Sequence, residues 1–571
     1  MNVATKARLA AHVLAWRLTW GRHDIDQLVR GLPRNPKFMS ARSAVQLIPD
    51  GATVISTGMA GNMRCAILYW AVREEFERTH HPRGLTWIAV GGIGGRGRLP
   101  GTLEEVGRDG LVVRHISGHL ETAKSLLQLA AAGRCEIHTL PQGVLARLVE
   151  AQAQGQEALV TRVGVGSFVD PRTGTGTLVA GRAESLASPE GEALRYAIPP
   201  IQAALFAAAS ADAAGNLYMR NASLLTESRE AALAARRHGG KVIATVAEVV
   251  EGRPDEIFLP AGEVDAIVVC PRNEQVGSIP QRRYLPMFVP GRPVDVELAE
   301  EELEFVNRLV GITPRRSAVD EALAREAASL VTRTVAPGST LNCGVGLPEE
   351  VCRLIHEAGL LGDVTFLLET GVYGGLPAPG VFFGAAIAPE RFMSSAEMFR
   401  FMEGHLDAAL LGFLQVDSEG NVNVSKRGTG PLEYVGPGGF IDVSSAAKTV
   451  IFVGSAMTGA HVALEDGELR IFQPGRPKLV PRVDEVTFSG KEALRRGQSV
   501  WYVTTLGTFH LTERGLELVS LMRGGDVGRA VQSLPIDLVR GSGPTPLVER
   551  AVCTGEGFHL AWQLPRRARA A

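Results

Sequence analysis

Short runs of β-branched and aromatic residues alternate with helical stretches along most of the chain. TWIAVGG (86–92), KVIATVAEVV (241–250) and VDAIVVC (264–270) each read as a buried strand. TVIFVG (449–454) and SVWYVTT (499–505) read the same way further on. Alternation of this kind predicts α/β architecture with largely parallel sheets.

The pattern also repeats. PDGATVISTGMAGN (49–62) and APGSTLNCGVGLPEE (336–350) each carry a turn, a short β-branched strand and a Gly-rich loop that opens a helix. DAAGNLYM (212–219) and DSEGNVNV (417–424) each place an Asp-x-x-Gly-Asn turn before a strand, and Asp, Gly and Asn supply the turn chemistry. Two matches in the same order predict a duplicated chain. The link between its halves is expected within 271–316, where several prolines, a basic Gln-Arg-Arg and a Glu-rich helix occur.

The two ends need separate treatment. MNVATKARLAAHVLAWRLTWGR is amphipathic and carries arginines, which admits a mitochondrial transit peptide. Asp24 and Asp26 follow closely and no small-residue cleavage pattern is present. A helix that packs on the body or on a partner subunit is the preferred reading. The basic tail PRRARAA is expected to be disordered.

The sharpest chemical signal lies in TFLLETGVYGGLPAPGVFFG (365–384). An apolar run, 364–368, ends in a lone carboxylate, Glu369, and a Gly/Pro cluster follows. That pattern predicts a strand leaving through a loop. A carboxylate at the carboxyl end of a parallel strand faces the ligand crevice of an α/β sheet, and the flanking glycines allow close approach.

Composition narrows the possibilities. At 571 residues, the chain has room for two to four domains, and 45% hydrophobic with 21% charged residues is ordinary globular composition. A net charge of −2 gives no reason to expect nucleic acid as a partner. No apolar run approaches the ~18 residues of a membrane span, so no membrane association is expected. The six cysteines (Cys65, Cys135, Cys270, Cys343, Cys352, Cys553) form no CxxC pair, which fits small core residues in a reducing, cytoplasmic setting.

The segment Glu369, Gly371, Gly374, Gly375, Pro377, Gly380 resembles the active-site stretch of the family I coenzyme A transferases, in their single-chain acetate/propionate branch. Further blocks resemble the same family: LPQGV (140–144), VGVGSFVDPR (163–172), the 212–216 turn, LNCGVGLP (341–348), GFLQVDSEGNVNVSK (412–426) and GPGGFIDVSSAAKTVIFVGS (436–455). The resemblance implies two related CoA-transferase-type α/β domains, the fused α and β halves of two-chain relatives. The boundaries expected are an N-terminal extension 1–37, a first domain 38–295, a linker 296–316 and a second domain 317–571.

The activity implied is transfer of CoA from an acyl-CoA to a carboxylic acid, with Glu369 as covalent nucleophile. No metal and no tightly bound cofactor is needed; coenzyme A enters as substrate. Covalent catalysis divides one hard step into easier ones. Glu369 would form an acyl-glutamyl anhydride, then a glutamyl–CoA thioester, with ping-pong kinetics. Oxyanion donors are worth roughly 3 kcal/mol each. Gly438 and Gly439 are candidates, with Gln142 as a side-chain donor to the reacting carboxylate. Gly344, Val345 and Gly346 could give oxyanion amides or cradle the pantetheine, and Gly374 and Gly375 are assigned to CoA binding. A homo-oligomer, dimer or tetramer, is implied. A CoA-ester hydrolase using Glu369 as a base is the alternative.

Other features read more weakly. VGVGSF lacks the Lys-Ser/Thr of a phosphate loop, so nucleotide binding is rejected there. His115 and His119, with Glu121 nearby, are spaced like helical metal ligands, but Ser117-Gly118 between them disfavours a helix. His405 is either a cavity residue or a plain loop histidine. Three stretches depart from the family: 58–70 is bulkier (Met59, Asn62, Met63, Tyr69, Trp70), Ala207 stands where arginine is frequent, and 179–200 matches poorly. All lie in the half expected to line the acyl pocket, which predicts a larger or more apolar acyl group than acetate.

Overall fold

The computed structural model describes residues 1–94, 99–272, 285–541 and 543–567. The Gln-Arg-Arg expected near the link, 281–283, lies outside them.

Two sheets organise the chain. The first has eight strands, in the order Ala266–Val269, Lys241–Val246, Ala203–Ala207, Thr53–Ser56, Leu85–Ala89, Val112–Ser117, Glu136–Thr139 and Leu178–Ala180. Every pairing is parallel except the last. The second has seven: Val364–Phe366, Ser339–Cys343, Ala408–Leu411, Thr449–Gly454, Ser499–Thr504, Gly507–Thr512 and Gly515–Leu521. Its first five run parallel and the last two add an antiparallel hairpin.

The predicted duplication is visible in strand order. Leu85–Ala89, Thr53–Ser56, Ala203–Ala207, Lys241–Val246 and Ala266–Val269 are neighbours in that sequence. Val364–Phe366, Ser339–Cys343, Ala408–Leu411, Thr449–Gly454 and Ser499–Thr504 repeat it. The paired turns correspond too. Asp212 Oδ1 accepts from the amides of Gly215 and Asn216 at 2.9 and 3.0 Å. Asp417 Oδ1 accepts from those of Glu419 and Asn421 at 3.1 and 3.0 Å.

The buried central strands are apolar on both faces, as parallel strands covered by helices must be. One apolar cluster runs through both halves and a second fills the far side of the first sheet. The six cysteines are free; Cys270 is half-buried and the rest are buried. No described helix is long and apolar enough to cross a membrane.

The first residues form a helix, Val3–Thr19, capped by the Asn2 side chain, with Leu9, Val13 and Trp16 buried. It packs against the helix Val296–Val310 inside the expected link, and Arg17 donates to the Val310 carbonyl. The chain then turns so that His23 stacks on Trp70 with centroids 4.1 Å apart. The extension therefore packs on the body. The tail departs from expectation: Arg566 and Arg567 pair with Asp363 and Asp407 beside the second sheet, while 568–571 lie outside the described residues.

Trp16 is 6% exposed and meets Trp20 edge-on. Trp16→Ala should weaken docking of this helix by about 3 kcal/mol. Hydrogen-exchange protection across residues 3–19 should fall about a hundredfold while the central strands keep theirs.

Candidate active site

Glu369 reaches its position through a hairpin. The strand Val364–Phe366 runs beside Ser339–Cys343, and Leu367 continues the pairing by donating to the Leu341 carbonyl at 2.9 Å. The chain then reverses: the Gly371 amide donates to Leu368 O and the Leu368 amide to Val372 O, both at 2.9 Å. Glu369 and Thr370 form the tip. Gly371 has φ +97°, and a side chain there would overlap the Met393 carbonyl. Thr370 anchors the tip by donating to Gly384 O at 2.6 Å.

The tip opens into a cavity of about 1420 Å³. Its lining includes residues that leave the carboxyl ends of parallel strands in both sheets: Met59, Gly92, His119, Gln142, Gly344 and Glu369. This is where open α/β sheets bind ligands. Phe383, Phe413 and Phe440 add apolar wall, and Trp20 brings the N-terminal extension to the edge.

Gly438 joins the halves. Its amide donates to Gly118 O at 2.7 Å, and its carbonyl accepts from the Gln142 amide at 2.9 Å. Gly439 follows immediately, and a methyl group on it would overlap Glu369 Oε1. Asp442 accepts from the amides of Gly143 and Val144, each at 3.0 Å. That carboxylate caps the helix Gln142–Ala153 from the other half of the chain.

No described group donates to the Glu369 carboxylate, and burial pushes its pKa up to about 7. Burial raises Asp442 to about 7 as well, opposed by its two amide donors. The amides of Val345 and Gly439 have no acceptor among the described residues. Gln142 is buried, and its Nε2 lies 2.9 Å from Met59 Sδ.

The structure thus brings Glu369, Gln142, Gly344, Val345, Gly438 and Gly439 to one cavity. It does not bring Gly346, Gly374 or Gly375 there. The Gly346 amide is held by Glu349 Oε1 at 2.8 Å. Gly374 donates to Phe366 O at 2.8 Å, and a methyl group on it would lie 2.6 Å from Glu390 Oε1. A side chain on Gly375 would overlap the Ile387 carbonyl, so both glycines serve the packing of their loop. Two expected donors are also consumed: the Gly344 amide goes to Leu410 O at 2.8 Å and the Gly438 amide to Gly118.

Three further readings find their place in the structure. His405 ends the helix Ser395–His405 and stacks on Phe401, outside the lining. His115 lies buried in a strand, its Nδ1 2.9 Å from Trp87 O, while His119 faces the cavity. Of the three departures from the family, only 58–70 reaches the cavity, through Met59 and Ala60; Ala207 and 179–200 do not. Sequence reasoning missed Asp442, whose role depends on a helix it does not belong to.

A sequence model of the family described as Coenzyme A transferase matches residues 38–270. The caffeate CoA-transferase of Acetobacterium woodii is 32% identical over 507 residues, covering 87% of this chain and 93% of that protein. The chain belongs to the coenzyme A transferase family. It is accordingly an enzyme that transfers CoA. The acetate CoA-transferase YdiF of Escherichia coli K12 is 30% identical, covering 86% of this chain and 90% of YdiF. The crystal structure of the acyl-CoA transferase YdiF apoenzyme from E. coli O157:H7 superimposes with a TM-score of 0.79 at 27% identity. It covers 95% of this chain and 99% of YdiF. A thioester complex of the same enzyme with CoA matches equally, with a TM-score of 0.79.

Gly439→Ala tests the contact on Glu369. The protein should fold, with its melting temperature near that of wild type. Displacement of the carboxylate by about 1 Å should lower kcat/KM for CoA transfer about a hundredfold.

Proposed function

We propose that the protein moves CoA from an acyl-CoA to an acceptor carboxylic acid in a ping-pong reaction on Glu369. The observation that carries this reading is a carboxylate with no described partner, held at a hairpin tip in the cavity between the sheets.

One oxygen of ionised Glu369 attacks the thioester carbonyl. The C–S bond breaks, CoA leaves as thiolate, and a mixed anhydride remains. The thiolate then attacks the glutamyl carbonyl and expels the acid as its carboxylate, leaving a glutamyl–CoA thioester. No net proton is consumed. The acceptor acid reverses both steps. The open amides of Gly439 and Val345 and the side-chain amide of Gln142 are the donors for the oxyanions. Water exclusion leaves the carboxylate poorly solvated, which favours attack. CoA acts as substrate, with no tightly bound cofactor. The free cysteines suit a cytoplasmic protein, and we expect a homo-oligomer.

The acyl group is proposed to be larger or more apolar than acetate. Met59 from the bulky 58–70 stretch, with Phe383, Phe413 and Phe440, supplies the apolar wall, and one relative is a caffeate CoA-transferase.

Intact-mass spectrometry after mixing with an acyl-CoA should show a covalent CoA mass on wild type, discharged by added carboxylic acid, and none on Glu369→Ala. CoA and free acid accumulating with no adduct would favour the hydrolase. The nucleophile must be ionised, so kcat/KM should rise through an apparent pKa near 7, about tenfold between pH 6 and 8. Burial favours the neutral form, so the folded state loses stability as pH rises from about 4.5 to 7. Glu369→Gln should therefore raise the melting temperature at pH 8 by roughly 1–3 °C.

Across a series of acceptor acids, kcat/KM should increase from acetate to acids with bulkier apolar groups. A strict preference for acetate would overturn the assignment of acyl size.

A further inference from the structure

One fully buried carboxyl group has no part in the chemistry described above. Glu227 is 0% exposed. The neighbouring charge that acts on it is a like one, Glu230, and burial pushes its pKa up to about 8, so the group is mostly neutral at pH 7. It stands at the N-cap of the helix Ser228–Arg237, where an acidic side chain ordinarily accepts from the first amides. Its side chain makes no such bond. Instead Oε2 accepts from Ser395 Oγ at 2.8 Å, and Oε1 is buried without a partner among the described residues. A buried acid diverted from its own helix calls for an explanation.

The residue before it is strained. Thr226 has φ +54°, a left-handed conformation that a β-branched side chain rarely adopts. That conformation presents its carbonyl to the Ser395 amide, at 3.1 Å. Ser395 thus gives both its amide and its hydroxyl to Thr226–Glu227. On the other side, Ser228 Oγ lies 3.1 Å from Thr226 Oγ1 and 2.7 Å from Thr57 Oγ1. Thr57, Thr226, Ser228 and Ser395 are all buried.

Both ends of this cluster lead to the active site. Ser395 opens the helix Ser395–His405 just after the strand Arg391–Phe392. That strand pairs with Val372–Tyr373, the returning arm of the Glu369 hairpin, and the Met393 amide donates to Gly371 O at 2.8 Å. Thr57 runs within two residues to Met59, in the cavity wall. A strained turn of the first half therefore grips both the strand behind Glu369 and the loop in front of it.

We propose that Glu227 is a positioning residue for CoA transfer: with Thr226 it fixes Ser395, and through the strand Arg391–Phe392 it holds the Glu369 hairpin in register with the thioester. This rests on the CoA-transfer reading above and deepens it. Glu227 touches neither substrate nor nucleophile. Its task needs an acceptor oxygen and no charge, which an amide supplies equally well.

The test follows the Glu369–CoA adduct by rapid quench and intact mass, with acetyl-CoA or 3-phenylpropanoyl-CoA, whichever labels wild type faster. The amplitude counts the chains able to react, and the rate constant reports how well the nucleophile is placed in them. Glu227→Ala and Ser395→Ala should each label as many chains as wild type but about thirtyfold more slowly at saturating thioester, because small misplacements of reacting groups cost large factors in rate. The thioester concentration giving half the maximal rate should stay within about threefold. Glu227→Gln should stay within about threefold of the wild-type rate. The double variant, Glu227→Ala with Ser395→Ala, should be no slower than the slower single one, since both remove the same bond. If Glu227→Ala does not fold, Ser395→Ala beside Glu227→Gln decides. No adduct in wild type with either thioester would sink the transfer reading itself. An adduct in wild type, with variants that label fewer chains at an unchanged rate, would make Glu227 a support of the fold and overturn the positioning role alone. Glu227→Gln as slow as Glu227→Ala would overturn it too.

Discussion

Two hydrogen bonds to one glycine hold the site together. Gly438 gives its amide to Gly118 and takes the amide of Gln142. Its neighbour is then pressed on Glu369. The backbones approach closely enough that side chains are excluded: a methyl group at Gly436 would lie 2.7 Å from Gly118 O. Glu369 belongs to one half of the chain and Gln142 to the other, so this bridge fixes one relative to the other. Asp442 reinforces it from beneath by capping the Gln142–Ala153 helix.

Glu369 and Asp442 show how environment divides two carboxyl groups. Burial raises both to about 7. Asp442 has its oxygens committed to amide donors, so its charge stabilises a helix terminus. Glu369 has no such commitment, so its oxygens remain open to an electrophile. Pairing it with a cation would lower its pKa and also block it. On the proposed mechanism, the poor solvation that costs stability is what keeps this carboxylate reactive.

Much of this was legible from local pattern. The strand runs, the duplicated order and the Asp-x-x-Gly-Asn turns are short-range signals, and period and turn chemistry determine them. Glu369 was legible because an apolar run that ends in an acid and then glycines is unusual. The glycines were harder. Sequence marks that Gly344, Gly346, Gly374, Gly375, Gly438 and Gly439 are glycines, but two different constraints produce one: open amides toward a ligand, or close packing of a turn. Only three dimensions separate Gly439, whose amide is open, from Gly346, whose amide is capped by Glu349. Asp442 was illegible for the same reason, since the helix it caps lies about 300 positions away. Ala207 was misplaced, and His405 was left open between cavity and loop, because neighbourhood in sequence says little about which wall a side chain faces.

The duplication also shows how the two halves meet at one cavity. Leu85–Ala89 and Val364–Phe366 occupy equivalent places in the two sheets. Beyond the second comes Glu369; beyond the first come Gly91 and Gly92, which leave room for Gln142, His119 and Thr122. One copy of the same strand end thus projects Glu369 into the cavity, and in the other the glycines pack against side chains of its wall. Glu369 owes its position to its hairpin and to Gly439, both in the second half. The first-half loops also touch that carboxylate's supports: the Leu120 and Glu121 amides donate to Val435 O at 2.8 and 3.3 Å, and a methyl group at Gly384, whose carbonyl anchors the hairpin tip, would lie 3.2 Å from Ala60 Cβ. Changes in those first-half loops therefore reach the placement of Glu369 as well as the cavity wall. The two halves are thus coupled at the cavity, each supplying part of its wall and part of what positions Glu369.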